Sequence, residues 1–263
     1  MGIIDFIQDP ENLYTWQVIT ILITAGFMVG FINTIAGSGT VITYSLFMFM
    51  GMPANIANGT IRLGVILQTL SSTLSFKKQG VLDWKKGLLI SIPVALGSIL
   101  GAQIAAMLNV KVFEKALALI MLSMIFFLFR NPKRWAEGHK EKMEGKITLN
   151  QLLVFFGIGL YGGFTHIGVG IFLLAAIVMK AGYDLVKANA IKVLSVLVYS
   201  PFALMVFVLN NQVDYKIGLI SAIGNIFGGY LASRLAVNWG AGFIRWFLIV
   251  IILLFNARVF GLI

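Results

Sequence analysis

Two Gly-x-Gly motifs interrupt hydrophobic stretches of this chain, Gly37-Ser38-Gly39 and Gly168-Val169-Gly170. A helix that begins at such a break directs unsatisfied N–H groups and a partial positive charge at whatever faces it. That arrangement binds anions without burying a formal charge. The alternative is that the glycines only permit close helix packing. We favour anion binding because a short hydrophobic segment follows each motif.

Polar side chains flank both motifs, and hydroxyl and amide groups are suitable hydrogen-bond donors to an oxyanion. For each Ser or Thr the alternative is a bond to a carbonyl one turn earlier in its own helix. Asn33 is harder to explain in that way, because a buried amide without partners is costly. The polar candidates are Asn33, Thr34, Ser38, Thr40, Thr165 and His166.

Two cations lie near the start of later hydrophobic segments, each on one helix face with an asparagine. Asn58 and Arg62 are four residues apart, and Asn189 and Lys192 are three apart. A cation just inside a membrane span usually faces a cavity or a partner. We expect Arg62 to draw anions into an entrance. For Lys192 the alternative is that its side chain reaches the lipid headgroups.

The titratable residues restrict the chemistry. His166 is the only histidine inside a hydrophobic segment, either as a hydrogen-bonded packing residue or as a proton-linked group. All ten acidic residues fall in loops or at segment ends, and there is no cysteine. A buried carboxylate relay and a carboxylate or thiolate metal site are therefore not predicted. An enzyme would need a partner for His166, so neither catalysis nor a cofactor is predicted.

These candidates belong to two stretches that repeat each other at a constant offset of 131 residues, without a gap. Most shared residues are glycine, Thr or Asn inside apolar segments. Repeated, glycine-broken membrane segments are typical of transporters whose site lies between the repeats. The recurring residues of the first stretch are Gly26, Thr34, Gly37, Gly39, Gly51, Ala57, Asn58, Asp83, Gly87 and Gly97.

Composition indicates a polytopic helical membrane protein. The 263 residues are 59% hydrophobic and 11% charged, with a mean hydropathy of +0.93, whereas soluble domains carry about 25% charged residues. The first sixteen residues lack Lys and Arg, so we expect no signal peptide. The net charge of +10 lies in short loops, where it reports membrane topology and not nucleic-acid binding.

The hydrophobic pattern predicts an all-α polytopic membrane protein with about five segments in each of two repeats, 1–130 and 148–263. A cytoplasmic linker, 131–147, joins them. Segments 40–52 and 169–182 are shorter than the roughly 20 residues that a crossing needs, so they are predicted half-helices meeting near the midplane. The other segments are 16–36, 60–76, 86–107, 112–130, 148–167, 192–209, 216–236 and 241–262.

Loop charges predict that one repeat is inverted relative to the other. The loop at 77–86 contains four lysines and one aspartate, while its counterpart contains only Asp214 and Lys216. Conversely, the uncharged turn at 51–59 corresponds to a turn with Lys180, Asp184 and Lys187. Because basic loops stay in the cytoplasm, the repeats face opposite ways and both termini lie outside.

Blocks in both repeats carry a family resemblance. They are 30–39 (GFINTIAGSG), 51–53 (GMP) and 57–62 (ANGTIR), then 159–164 (GLYGGF), 168–170 (GVG) and 187–192 (KANAIK). The chain resembles the TauE/SafE sulfite exporter family, also called the 4-toluene sulfonate uptake permease family. The resemblance implies inner-membrane transport of sulfite, organosulfonates or related compounds. Ser38 and His166 depart from the family pattern, which often has a third glycine and a neutral residue there.

The sequence therefore predicts a plasma-membrane transporter of small anions, such as sulfite, thiosulfate or sulfoacetate, by alternating access around a central site. A coupling ion (proton or sodium) and a homodimer are compatible with it. The competing hypothesis is a membrane scaffold or subunit without transport of its own. The predicted binding residues are the six polar candidates with Gly37, Gly39, Gly168, Gly170, Asn58, Arg62, Asn189 and Lys192.

The predicted topology is testable by labelling. Single cysteines at Gln79 and Glu137, introduced into this cysteine-free chain, should react with an impermeant thiol reagent only from the cytoplasmic side. Both positions lie in basic segments, which are retained in the cytoplasm. Labelling of the two positions from opposite sides of the membrane would remove the argument for inversion.

Overall fold

The computed structural model describes residues 12–113, 115–116, 148–240, 242–244 and 246–247. The linker 131–147 and most of segments 112–130 and 241–262 lie outside the described residues. Of the described helices, the first, fourth and seventh are long and apolar enough to cross a bilayer. The helices are α1 (Trp16–Ile35), α2 (Thr40–Phe49), α3 (Ala54–Lys78), α4 (Trp84–Met107), α5 (Leu149–Phe164), α6 (Val169–Ala181), α7 (Leu185–Leu209) and α8 (Tyr215–Asn238).

Helix starts follow from ordinary capping. Asp83, Asp184 and Asp214 precede α4, α7 and α8, and their carboxylates accept hydrogen bonds from first-turn N–H groups. Thr148 and Gln151 form a reciprocal capping box at the start of α5. These three acidic residues thus lie at helix ends and not within spans, as the sequence predicted.

The repeat extends to the backbone. The bounds of α3 and α7 are 131 residues apart at both ends, and so are those of α4 and α8. Left-handed backbone recurs at the same offset. The pairs are Gly37 (φ 81°) with Gly168 (φ 70°), Gly51 (φ 84°) with Gly182 (φ 79°), and Gly80 (φ 73°) with Asn211 (φ 55°).

The two breaks separate a long helix from a short one in each half. Helix α1 ends at Ile35 and α5 at Phe164, and the short helices begin at Thr40 and Val169. The short helices contain 10 and 13 residues, or roughly 15 and 20 Å at 1.5 Å per residue. Neither length spans a hydrocarbon core of about 30 Å, so α2 and α6 are the half-helices that the sequence predicted.

Glycines bring helices from different repeats into backbone contact. On α1, Gly26 and Gly30 face Ser221 and Asn225 of α8, four residues apart on both helices. Because the contacts advance together, α1 and α8 run parallel. On α5, Gly159 and Gly163 face Val94 and Ser98 of α4 in the same parallel sense. The first helix of each repeat therefore packs on the fourth helix of the other.

The third helices of the two repeats cross the centre of the bundle in opposite directions. Near the start of α3, Gly59 lies against Phe207 near the end of α7. Further along α3, Thr69 shares a cavity with Val193 and Val196, which come earlier in α7. Later residues of α3 thus lie near earlier residues of α7, so the two helices are antiparallel.

Two matched glycine substitutions on α5 test this packing. A Cβ atom at Gly163 would lie 1.9 Å from the Ser98 carbonyl oxygen, whereas one at Gly157 would meet nothing within 4 Å. Gly163→Ala should destabilise the protein by about 1–3 kcal/mol through overpacking. Gly157→Ala should be neutral or slightly stabilising, since Ala favours helix. The melting temperatures in detergent measure both effects, and equal values would contradict the proposed contact.

Candidate functional site

The two breaks meet each other in the middle of the molecule. The Gly170 N–H donates to the Gly37 carbonyl oxygen at 3.2 Å, and the Thr40 hydroxyl donates to the His166 carbonyl oxygen at 3.2 Å. A Cβ atom at Gly37 or Gly170 would lie 2.4 Å from the other residue's Cα. Glycine is thus required at both positions by close approach, and at Gly37 also by its positive φ.

Lys192 lies on α7 and reaches the carbonyl end of α1. Its Nζ donates to the carbonyl oxygens of Asn33 at 3.2 Å, Thr34 at 2.8 Å and Ile35 at 3.4 Å. The side chain is 1% exposed. It therefore does not extend to the headgroups, which was the alternative interpretation of its position.

Arg62 lies on α3 and performs the matching role at the end of α5. Its two terminal nitrogens donate to the carbonyl oxygens of Gly162 at 3.2 Å and Gly163 at 2.6 Å. One turn earlier, the Asn58 amide donates to the Phe164 carbonyl oxygen at 2.9 Å. Arg62 is 0% exposed, and its guanidinium lies 4.8 Å from the Phe207 ring centroid. Contrary to our expectation, Arg62 does not line an exposed entrance in this structure, because its terminal nitrogens donate to buried helix carbonyls.

Each cation thus caps a helix of the other repeat. The last four carbonyl groups of a helix lack partners within it, and they carry the negative end of the helix dipole. Water satisfies such groups at a protein surface, but inside a membrane the protein must supply the donors. Lys192 and Arg62 meet this requirement at the two breaks.

A chain of amides and hydroxyls joins α1 to α3 beside the first break. The Asn33 amide donates to the Gln68 side-chain oxygen at 3.1 Å, and the Gln68 amide donates to the Thr34 hydroxyl at 2.9 Å. The Thr34 and Ser72 hydroxyl oxygens are 3.1 Å apart. All four residues are buried. This network holds the polar groups of α1 in fixed directions.

His166 is buried, and its ring pairs with a phenol. Its Nδ1 lies 2.8 Å from the Tyr199 hydroxyl oxygen, and its side chain is 1% exposed. The hydrogen bond fixes the ring orientation, which agrees with a packing role. His166 also borders the central cavity, so the structure retains both interpretations made from the sequence.

A narrow cavity lies where the breaks, α3 and α7 converge. The cavity has an empty volume of about 220 Å³ when its open mouth is included. Its enclosed part has room for only about one water molecule. None of the described residues that line it is acidic. They are Asn33, Gly37, Gln68, Thr69, His166, Gly170, Lys192, Val193 and Val196.

Five of the predicted binding residues therefore share this cavity, and the others lie around it. Gly39 packs on α1, since a Cβ atom there would be 2.7 Å from the Val29 carbonyl oxygen. The Ser38 hydroxyl and both polar atoms of the Asn189 amide are buried without a hydrogen-bond partner among the described residues. The remaining predicted residues, Thr34, Thr40, Asn58, Arg62, Thr165 and Gly168, do not line the cavity.

Sequence reasoning missed two polar residues that line the cavity, Gln68 and Thr69. Both lie within the predicted segment 60–76. A buried glutamine in the middle of a membrane helix needs hydrogen-bond partners. That cost was the signal that could have identified Gln68.

The capping role of Arg62 predicts a loss of stability on substitution. Arg62→Met keeps an apolar stem but leaves the carbonyls of Gly162 and Gly163 without donors, at roughly 2 kcal/mol or more. We expect the melting temperature in detergent to fall by about 4–8 °C. Arg234→Met is the matched control, because Arg234 is exposed on α8. Equal melting temperatures for the two variants would show that the cap is dispensable.

The sequence is similar to those of known membrane proteins over most of its length. The sulfite exporter TauE/SafE family model matches residues 22–259. A probable membrane transporter protein of Haemophilus influenzae is 30% identical over 243 residues, covering 92% of this chain and 94% of that protein. The probable membrane transporter protein YfcA of Escherichia coli K12 is 27% identical over 240 residues, covering 90% and 88%.

A more distant relative, the probable membrane transporter protein YunE of Bacillus subtilis, is 24% identical over 242 residues, covering 82% of this chain and 87% of that protein. No solved structure matches the chain. The family match covers most of the chain, and the apolar helices fit a multi-pass protein of the cell membrane. The chain belongs to the TauE/SafE sulfite exporter family of membrane transporters.

Proposed function

We propose that this protein is a secondary transporter of small anions that works by alternating access around the central cavity. The observation that carries the proposal is the chemistry of the described lining. It combines the Lys192 ammonium, the Asn33 and Gln68 amides, the Thr69 hydroxyl and the His166 ring, with no carboxylate. Such a lining offers donors and positive charge to an anion and no ligand set suited to a divalent cation.

The substrate class that we propose is sulfur oxyanions or organosulfonates. Family membership and the transporter names of the relatives support it. A sulfite or sulfonate group presents several acceptor oxygens, which amides, hydroxyls and an ammonium can bind together. We also propose that the other predicted binding residues, including Ser38 and Asn189 with their unpartnered polar groups, contact the substrate as the site opens.

We further propose that the two repeats are inverted in the membrane. The antiparallel course of α3 and α7, which occupy equivalent positions in the repeats, supports this. So does the parallel packing of α1 on α8 and of α5 on α4. Inverted repeats permit two states of equal architecture with opposite access. Because the enclosed cavity has room for only about one water molecule, substrate entry requires the helices around it to move.

An interaction at the proposed cytoplasmic end supports gating there. The Tyr183 hydroxyl donates to the Asp83 carboxylate at 2.6 Å, joining the turns before α7 and α4. Burial and the bond to Asp83 raise the pKa of Tyr183, so the phenol stays protonated. The positions 131 residues away are Met52 and Asp214, and methionine has no donor. The link therefore has no counterpart at the equivalent positions, and opening the cytoplasmic side would break it.

The proposal is tested by flux into proteoliposomes that contain the purified chain. Sulfite, thiosulfate, sulfate, taurine, sulfoacetate and simple carboxylates should be compared. We expect saturable uptake of at least one sulfur oxyanion or organosulfonate, and mutual competition among the accepted anions. Uptake of cations alone would contradict the proposal. Absence of any flux from a folded protein would favour the scaffold hypothesis.

A variant that fills the cavity links that flux to this site. Val196 lines the cavity, so Val196→Phe should abolish uptake by occupying the space of the substrate. Val112, which is 44% exposed, provides the same substitution as a control that should leave uptake unchanged. This pair is cleaner than changing Gly170, where a Cβ atom would strike the Gly37 backbone. Normal uptake by folded Val196→Phe would place the substrate path elsewhere.

A further inference from the structure

Lys192 occupies an unusual environment for a buried ammonium. Among the described residues its hydrogen-bond acceptors are three main-chain carbonyl oxygens, those of Asn33, Thr34 and Ile35, at 2.8–3.4 Å from Nζ. An ammonium has three donor protons, so these three contacts use all of them. The carbonyls converge because they are the last ones of α1, which ends at Ile35.

Three convergent carbonyl oxygens with partial negative charge form a cation site in their own right. We propose that the end of α1 is a monovalent-cation site of the primary-ammonium class, which the protein's own Lys192 side chain fills. The side chain supplies the N–H donors as a covalent part of the chain, so no free cation is required at this helix end. The proposal does not depend on the identity of the transported anion.

The site is reachable from the central cavity. Lys192 and Asn33 both line that cavity, and the lysine side-chain atoms beyond Cβ extend to the three carbonyls. Truncation to alanine would therefore leave a channel from the cavity to three unpartnered oxygens. Methylammonium is small enough to enter and has the N–H donors that the carbonyls need, whereas tetramethylammonium carries the same charge with none.

The two cation caps differ in a way that restricts the inference to Lys192. Arg62 uses two separate nitrogens for two carbonyls, so an ammonium ion, which has one nitrogen, would not reproduce its geometry. The Lys192 contacts converge on one nitrogen atom, which a free ammonium ion can replace. We therefore expect chemical rescue by amines at the α1 end and not at the α5 end.

The test is the melting temperature of purified Lys192→Ala in methylammonium, tetramethylammonium and choline chloride at equal ionic strength. We expect Lys192→Ala to melt well below the wild type in choline and tetramethylammonium. Methylammonium should raise its melting temperature saturably, with no effect on the wild type. Lys192→Met is the matched control, since its stem fills the same space without a donor and should show no rescue.

Anion uptake by proteoliposomes that contain the wild-type chain separates this inference from the proposed function, because Lys192 itself lines the cavity. Rescue of stability without any anion flux would support the cation site and count only against the transport proposal. If Lys192→Ala survives purification only with methylammonium present throughout, that is also the expected result. Equal melting temperatures of Lys192→Ala in methylammonium and tetramethylammonium would overturn the cation site. So would failure to purify folded Lys192→Ala in either salt.

Discussion

A helix that ends inside a bilayer has carbonyl groups that neither water nor its own backbone can satisfy. Helices α1 and α5 both end inside the bundle, at the breaks beside the central cavity, where their last carbonyls need donors from the protein. Lys192 satisfies one end and Arg62 the other, and each comes from the opposite repeat. The broken helices, and therefore the cavity between them, depend on these two caps.

The caps also explain how the halves of the molecule are interlocked. Each repeat supplies the hydrogen-bond donor that caps a helix of the other. The glycine contacts also join the two repeats, because they pack α1 on α8 and α5 on α4. The packing units consequently differ from the units of the sequence repeat. Motion of one repeat relative to the other would strain these two helix contacts and two caps, which favours a small number of defined arrangements over gradual deformation.

The cations have a second consequence for anion binding. The Lys192 ammonium and the two terminal nitrogens of Arg62 donate to helix carbonyls, so the dipoles of α1 and α5 partly offset their charge. If the protein transports anions as proposed, the remaining amide hydrogens of Asn33 and Gln68 are neutral donors that the cavity offers to the substrate. Lys192 is distinctive because it both caps α1 and borders the cavity. The proposed substrate binding and the integrity of the first break would thereby be coupled in one residue.

Much of the local architecture followed from the sequence. The sequence predicted the 131-residue offset, the breaks at 36–39 and 165–168, the short α2 and α6, and the aspartates at helix starts. These features depend on neighbouring residues and on membrane thickness. Tertiary structure decided the rest. Asn211 repeats the left-handed backbone of Gly80 without sharing its identity, and Gly39 is a packing residue against α1.

The sequence by itself determined which residues are costly to bury, namely Asn33, Arg62, His166 and Lys192, but not what satisfies them. Their partners include Gln68, Gly163, Tyr199 and Thr34, which are separated from them by 33 to 158 residues. For this reason the sequence did not show that Arg62 donates to the carbonyls of Gly162 and Gly163. Burial cost is a property of the side chain alone, whereas its compensation depends on backbone groups that only the folded bundle brings within hydrogen-bonding distance.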